Sequence, residues 1–311
     1  MVGLDACRDR GPIPGFLAPD RPILRALHMM RALRVVSLNT WKADGPYRAR
    51  LAVMAEQLRA LEPDVVCLQE AFVAVDGSLS TPKALAAALG MNHVTYAMRE
   101  KDRIVEGVLV PSRSGLCTLS RWPIVEVVAR PIPSDPRDGD RGVLMVAVET
   151  PLGIARIVNT HLTYLRDVDT AVLNLRQVRA VLAEPWLRDA AVIRLLCGDF
   201  NSEPDSDTIR YIREQSGWHV QEATPKHPRG GERPVTFSPR NANVREGARS
   251  VVLDYVFSLA PAAGRQPRMS SAVVLDQPTG SVFPSDHFGV YAEVGAPPAE
   301  ETLARARLSA P

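Results

Sequence analysis

Residues 34–70 read RVVSLNTWKADGPYRARLAVMAEQLRALEPDVVCLQE, and their pattern decides the fold class. RVVSLN (34–39) is a short apolar run with the length and β-branched content of a strand. Leu51, Met54, Leu58 and Leu61 then recur at spacings of three, four and three, the mark of a helix with one buried face. DVVCLQ (64–69) is a second core strand, and TPKALAAALG (81–90), with a Thr cap, a first-turn Pro and a terminal Gly, is a short helix. Further along, strand-like runs fall at 93–98, 106–110, 115–120, 124–130, 142–149, 154–160, 192–197, 251–258, 271–275 and 287–294. Helical patterns fall at 167–183 and 206–214. A long loop rich in Pro, Gly, Arg and Asn is expected over 223–250. Strands at hairpin spacing, interrupted by amphipathic helices, predict an α/β fold in which two mixed sheets pack face to face with helices outside.

The 311 residues are 46% hydrophobic and 23% charged, a globular composition that excludes disordered, collagen-like and disulfide-scaffold chains. A net charge of +2 neither demands nor excludes a nucleic-acid partner. No apolar run reaches the length of about 18 residues needed for a transmembrane helix. The four cysteines form no CxxC pair, and three lie in apolar runs, as buried thiols in a reducing compartment would. A cytoplasmic location is expected. Residues 1–30 mix charge and proline too densely for a signal-peptide core. They are expected to be a disordered leader or a misassigned start, residues 31–296 a single domain, and 297–311 a flexible tail.

Polar residues with chemical potential gather where the apolar runs end. Asn39 closes RVVSLN, Glu70 closes DVVCLQ, His161 follows ARIVNT, Asp199 and Asn201 follow LLC, Asp254 interrupts VVLDYVF, and Asp286 with His287 opens the last strand. An isolated Asn at a strand end is ordinarily a turn former. Glu70 and Asp199, however, terminate wholly apolar strands, where an unpartnered carboxylate is costly. Strand ends converge at one edge of a sheet, so these residues can share a cleft. Their hard oxygen donors suit Mg²⁺, or alternatively Mn²⁺, and the lack of Cys-His clustering argues against structural zinc.

The ordered segments SLNTW (37–41), DVVCLQE (64–70), GLCTLSRWPI (115–124), NTHL (159–162), GDFN (198–201), LDYVF (253–257) and SDH (285–287) resemble the motifs of the endonuclease/exonuclease/phosphatase superfamily. The resemblance spans residues 34–294. It implies a four-layered α/β sandwich and a divalent-metal phosphoesterase, in which Asn39, Glu70 and Asp286 attend the metal. By the same resemblance Asp199 and Asn201 position the attacking water, His161 and His287 flank the scissile phosphate, and Asp254 orients His287. Either Asp199 or His287 would be the general base. Arg113, preceding GLCTLSR, and Arg141 are candidate phosphate contacts.

The substrate class is less defined: a phosphoester carried on an anionic headgroup or on nucleic acid. The loop from Thr224 to Ser250 holds six basic and two acidic residues, suited to either. The stretch before LDY lacks the Trp of abasic-site nucleases. GLCTLSRWPI and RGVLMVAVETPLGIARIVNTHL resemble the sphingomyelinase-like side of the superfamily. A DNA or RNA nuclease is the alternative, and a non-catalytic phosphate-binding scaffold a more distant one.

Overall fold

Apolar side chains alternate along each central strand, and that period of two splits them between a sandwich interior and two helix-covered outer faces. The computed structural model describes residues 4–5, 32–165, 168–223, 234–262 and 264–297. The readings of leader and tail fall almost wholly outside this range. Leu4–Asp5 form a short strand, β1.

The chain continues through β2 (Leu33–Asn39), α1 (Tyr47–Leu61), β3 (Val65–Ala74), α2 (Thr81–Leu89) and β4 (Asn92–Glu100). A hairpin of β5 (Arg103–Val105) and β6 (Val108–Val110) precedes β7 (Ser112–Ser120), β8 (Ile124–Asp135), β9 (Gly139–Thr150) and β10 (Gly153–His161). Then come α3 (Val168–Leu182), β11 (Ile193–Asp199), α4 (Asp207–Glu214), β12 (His219–Glu222), β13 (Asp254–Ala260), β14 (Met269–Val274) and β15 (Gly289–Val294).

The strands form a seven-stranded sheet, ordered β1-β4-β7-β3-β2-β15-β14, and a six-stranded sheet, ordered β12-β13-β11-β10-β9-β8. Val35, Val65 and Val290 of the first meet Leu144, Ile157, Leu195 and Val256 of the second in the interior. On the outer side of the larger sheet, Val36, Leu38, Val66 and Leu68 pack on Met54 and Leu58 of α1 and Leu85 of α2. On the other side Val158, Leu196 and Phe257 pack on Val178 and Val181 of α3 and Ile209 of α4. Each fully buried side chain of this size contributes about 1.5–3 kcal/mol. The result is the four-layered α/β sandwich. No helix among the described residues is long and apolar enough to cross a membrane.

Several elements differ from the sequence reading. The run 106–110 is the turn and second arm of a hairpin, because Glu106 and Gly107 both take positive φ (49° and 87°), as a primed two-residue turn demands. Helix α2 is capped by Ser80, whose hydroxyl accepts the Lys83 amide at 3.2 Å, while Thr81 sits inside the first turn and bonds Tyr47. Strand β12 was not foreseen, and β13 starts at Asp254 rather than Val251. Cys67, Cys117 and Cys197 are free and buried.

Candidate active site

Strand register assembles the site. On β2, β3 and β11 the odd-numbered residues face the interior: Val35, Val65, Cys67, Leu195 and Cys197 lie in the inner core. The same alternation aims Asn39, His161, Asp199 and Asp254 inward at the strand ends, where the apolar filling stops. In the smaller sheet His161 of β10 pairs with Asp199 of β11, and Asp199 pairs in turn with Asp254 of β13. Gly198 permits this approach, since a Cβ there would strike the Thr160 carbonyl. Beneath the site, Gln69 Nε2 donates to Asn159 Oδ1 at 2.7 Å, and Asn159 Nδ2 donates to the Leu68 and Cys117 carbonyls, tying the two sheets together.

Asn39, Glu70, Arg141, His161, Asp199, Asn201, Asp286 and His287 line one cavity of about 610 Å³. Asp199 is buried and engaged on both oxygens: Oδ2 accepts from Asn39 Nδ2 at 3.0 Å and Oδ1 from the Asn201 amide at 2.8 Å. Burial, followed by the nearby Asp254 carboxylate, raises its pKa despite the His287 imidazole. Asp254 stands behind His287, its Oδ2 2.9 Å from His287 Nδ1, and its own amide donates to Thr236 Oγ1. Burial alone would depress the His287 pKa, but Asp254, Asp199 and Asp286 together outweigh it and hold the ring well above its ordinary value.

His161 is the opposite case. Burial first, then Arg141, pushes it well below the usual range. Its Nε2 lies 3.1 Å from Asn201 Nδ2, which also donates to the Leu162 carbonyl, so the neutral ring accepts at Nε2. Its 3.4 Å approach to Asp199 is therefore not an ion pair.

The backbone is strained where the cavity is. Trp41, Lys42, Glu70 and Asn201, four of the seven non-glycine residues with positive φ among the described residues, line it. Such conformations cost of order 1–3 kcal/mol each and persist only where surroundings enforce them. For Glu70 the enforcement is a register shift in β3 between Leu68 and Ala71. For Trp41 and Lys42 it is Arg50, fully buried on α1, which donates to the carbonyls of Thr40, Trp41, Lys42, Asp44 and Pro284 at 2.8–3.3 Å.

One sequence expectation differs from the structure here. Arg113 is not in this cavity. Ser112 and Ser114 take the inward positions of β7, so Arg113 points out, pairs with Glu100 and lines a neighbouring cavity of about 800 Å³. Half of the long loop's basic residues, Lys226, Arg229 and Arg233, lie outside the described residues; of those described, Arg240 pairs with Asp276 and Arg249 with Glu203, and none lines the cavity. The loop contributes Phe237, whose ring lies 5.1 Å from the His287 ring. The cavity's cations are Lys42, Arg99, Lys101, Arg103 and Arg141, of which only Arg141 was anticipated; it is held by Asp138 at 2.9 and 2.5 Å. Lys42 follows SLNTW directly, a signal that the sequence offered. Arg99, Lys101 and Arg103 sit before or on the first arm of a hairpin of which the sequence reading placed only residues 106–110 in a strand.

A family model described as Endonuclease/Exonuclease/phosphatase family matches residues 36–287, most of the chain and every motif in it. The chain belongs to that family. The endonuclease/exonuclease/phosphatase from Beutenbergia cavernae DSM 12333 superposes with a TM-score of 0.65 at 26% identity, over 86% of this chain and 72% of its own. Two structures share the fold at lower identity. TDP2 from Caenorhabditis elegans has a TM-score of 0.61 at 16% identity, over 85% of this chain and 74% of that one. The human Nocturnin catalytic domain with bound sulfate has a TM-score of 0.60 at 20% identity, over 85% and 94%. Protein angel homolog 2 from Danio rerio is 29% identical over 177 residues, 54% of this chain but 30% of that protein, so the chain spans less than a third of this curated relative's length.

Endonuclease/exonuclease/phosphatase family members are hydrolytic phosphoesterases or nucleases, in general dependent on a divalent metal. The donor set here fits one. Glu70 and Asp286 face the same cavity, and burial followed by the Glu70 charge raises Asp286 to about 6. Lys42 Nζ lies 2.8 Å from Glu70 Oε2, a cation already meeting part of that negative charge. Asp199, Asp254 and His287 also converge within 4.8 Å. There, however, His287 Nδ1 is turned to Asp254 and both Asp199 oxygens are hydrogen-bonded, whereas Glu70 and Asp286 are further cavity carboxylates that could hold a cation.

Proposed function

We propose that this cavity hydrolyses a phosphodiester by in-line attack of water, with Mg²⁺ or Mn²⁺ held by Glu70 and Asp286 beside Asn39. The observation that carries the reading is a single cavity lined by those oxygen donors together with Asp199 and His287, with Asp254 behind the His287 ring. A bound divalent cation supplies Lewis-acid polarisation of a phosphoryl oxygen.

The protein's own groups do the rest. Asn39 and Asn201 fix the Asp199 carboxylate so that it can receive the proton of an attacking water. Asp254 aims His287 Nε2 into the cavity, where a protonated imidazole binds the developing charge on phosphate. Neutral His161 and the Asn201 carboxamide add uncharged hydrogen-bonding groups beside Asp199. Arg141 and Arg103, both nearly buried, present guanidinium groups of the geometry that suits phosphate. A cavity of this size also admits substituents on both bridging oxygens.

The test is a turnover panel in Mg²⁺ or Mn²⁺: bis-p-nitrophenyl phosphate, p-nitrophenyl phosphate, sphingomyelin, single-stranded DNA and RNA. The reading expects the diester bis-p-nitrophenyl phosphate to be cleaved faster than the monoester. No turnover of any diester would leave a phosphate-binding scaffold in its place.

A further inference from the structure

The β5/β6 hairpin is a two-stranded sheet of its own, with Ile104 paired to Leu109 and Val105 to Val108. Arg103 and Val105 turn inward and are buried, whereas Ile104, Leu109 and Val108 are 71%, 65% and 63% exposed. These are the three most exposed large hydrophobic side chains among the described residues. Val75, 58% exposed, is joined to the hairpin's exit by the hydrogen bond that its amide donates to the Pro111 carbonyl at 2.9 Å. Tyr164, about half exposed, lines the active-site cavity together with Ile104. Among the described residues, the most exposed apolar side chains thus lie on the hairpin whose Ile104 lines the active-site cavity, while Val125, Val172 and Val192 are exposed elsewhere.

The hairpin is held in place. Arg48 clamps Glu106 with its amide and guanidinium at 3.0 and 2.9 Å, Arg103 donates to Ser112 and Ser114, and Val105 packs with Tyr47 and Phe72. An aliphatic face this exposed and this well anchored marks a contact surface rather than a loose loop. Behind it, Arg99, Lys101 and Arg103 turn positive charge to the cavity. A partner matching both features carries phosphate next to hydrocarbon. Single-stranded nucleic acid matches the hairpin's outward face poorly, since bases stack on aromatic rings and that face is wholly aliphatic, the aromatic rings Trp41 and Tyr164 lining the cavity instead.

We infer that the outward face of the β5/β6 hairpin docks on a phospholipid surface and brings a headgroup phosphoester to the cavity; this rests on the phosphodiesterase reading above. Aliphatic side chains beside cations bind the interface of such a surface.

The experiment is co-sedimentation of the full chain with vesicles in the presence of chelator, so that binding is read without turnover. Vesicles of phosphatidylcholine alone are compared with an equimolar mixture of phosphatidylcholine and phosphatidylglycerol. The wild type is expected to sediment, more strongly with the mixture. The Val108→Ser/Leu109→Ser variant should lose roughly tenfold or more of its partitioning, and Leu109→Trp should gain, while both keep wild-type turnover of soluble bis-p-nitrophenyl phosphate. A wild type that stays in solution, or a double Ser variant that sediments equally, overturns the inference. So does a variant whose loss appears on single-stranded DNA cleavage instead. Failure to cleave bis-p-nitrophenyl phosphate would strike the phosphodiesterase reading and leave the sedimentation result standing.

Discussion

Asp199 receives hydrogen bonds on both oxygens and lies near two imidazoles whose pKa values are pushed in opposite directions, His161 down by burial and His287 up by Asp254, Asp199 and Asp286 against burial. The difference between the rings is their partners. His287 leans on the Asp254 carboxylate, and His161 on the Asn201 carboxamide. Asp254→Asn keeps the size of the side chain and removes the charge, so turnover of bis-p-nitrophenyl phosphate should fall roughly 10²-fold, the scale of acid-base and electrostatic assistance. An unchanged rate with a lower thermal midpoint would make Asp254 a structural carboxylate.

His161 makes a prediction about stability. Its folded pKa lies below the unfolded value of about 6.5. The unfolded chain thus binds the extra proton first, and the stability contributed by the neutral ring is present above about 6.5 and is lost as pH falls below it. The thermal midpoint of His161→Gln should therefore drop less than that of the wild type between about pH 7.5 and about pH 5.5. Equal drops would mean that His161 is not buried neutral. The residues around Asp199 were legible because each closes an apolar run. Arg103 was not, since a cation in a polar stretch looks like any solvated one; Lys42 was passed over although it directly follows the SLNTW motif.

At the scale of elements, local irregularities aim the chemistry. The register shift in β3 sets Glu70, and Gly198 lets β10 and β11 close on each other. Gly198→Ala should push against the Thr160 backbone and cost about 1–3 kcal/mol in a denaturant melt, with turnover lost as His161 and Asp199 part. Arg50→Met keeps apolar contacts but abandons five carbonyls on the segments that carry Asn39 and Asp286. It should lower both the thermal midpoint and bis-p-nitrophenyl phosphate turnover; wild-type turnover would show that the 40–44 loop holds itself. Periodicity recovered the central strands and, among the described residues, the four α-helices, because their alternation is set by burial. It missed β5 and β12 and ran β6 back through its turn, because three- and four-residue strands are too short to express a period. The bulge at Glu70 arises from pairing with β7, so no local signal in DVVCLQE announces it.

Across the whole molecule, two sheets and two helical layers serve to bring widely separated strand ends to one opening. Stability and chemistry are spatially divided: the inner core fills the sandwich up to Cys67, Cys197 and Val256, and polar residues take over one inward step later. The four-layered architecture was legible from strand and helix order. The position of Arg113 and the pairing of the 234–250 segment were not, because both depend on which neighbour a surface cation meets.

Hydrolysis of bis-p-nitrophenyl phosphate in Mg²⁺ by the wild type and by Glu70→Gln, each before and after chelation, tests most directly whether this opening is a metal-dependent phosphodiesterase site. The account predicts wild-type turnover that chelation abolishes and Mg²⁺ restores, with Glu70→Gln folded but slower by roughly 10²-fold or more. Wild-type turnover indifferent to chelation, or a Glu70→Gln variant with the wild-type rate, would contradict it.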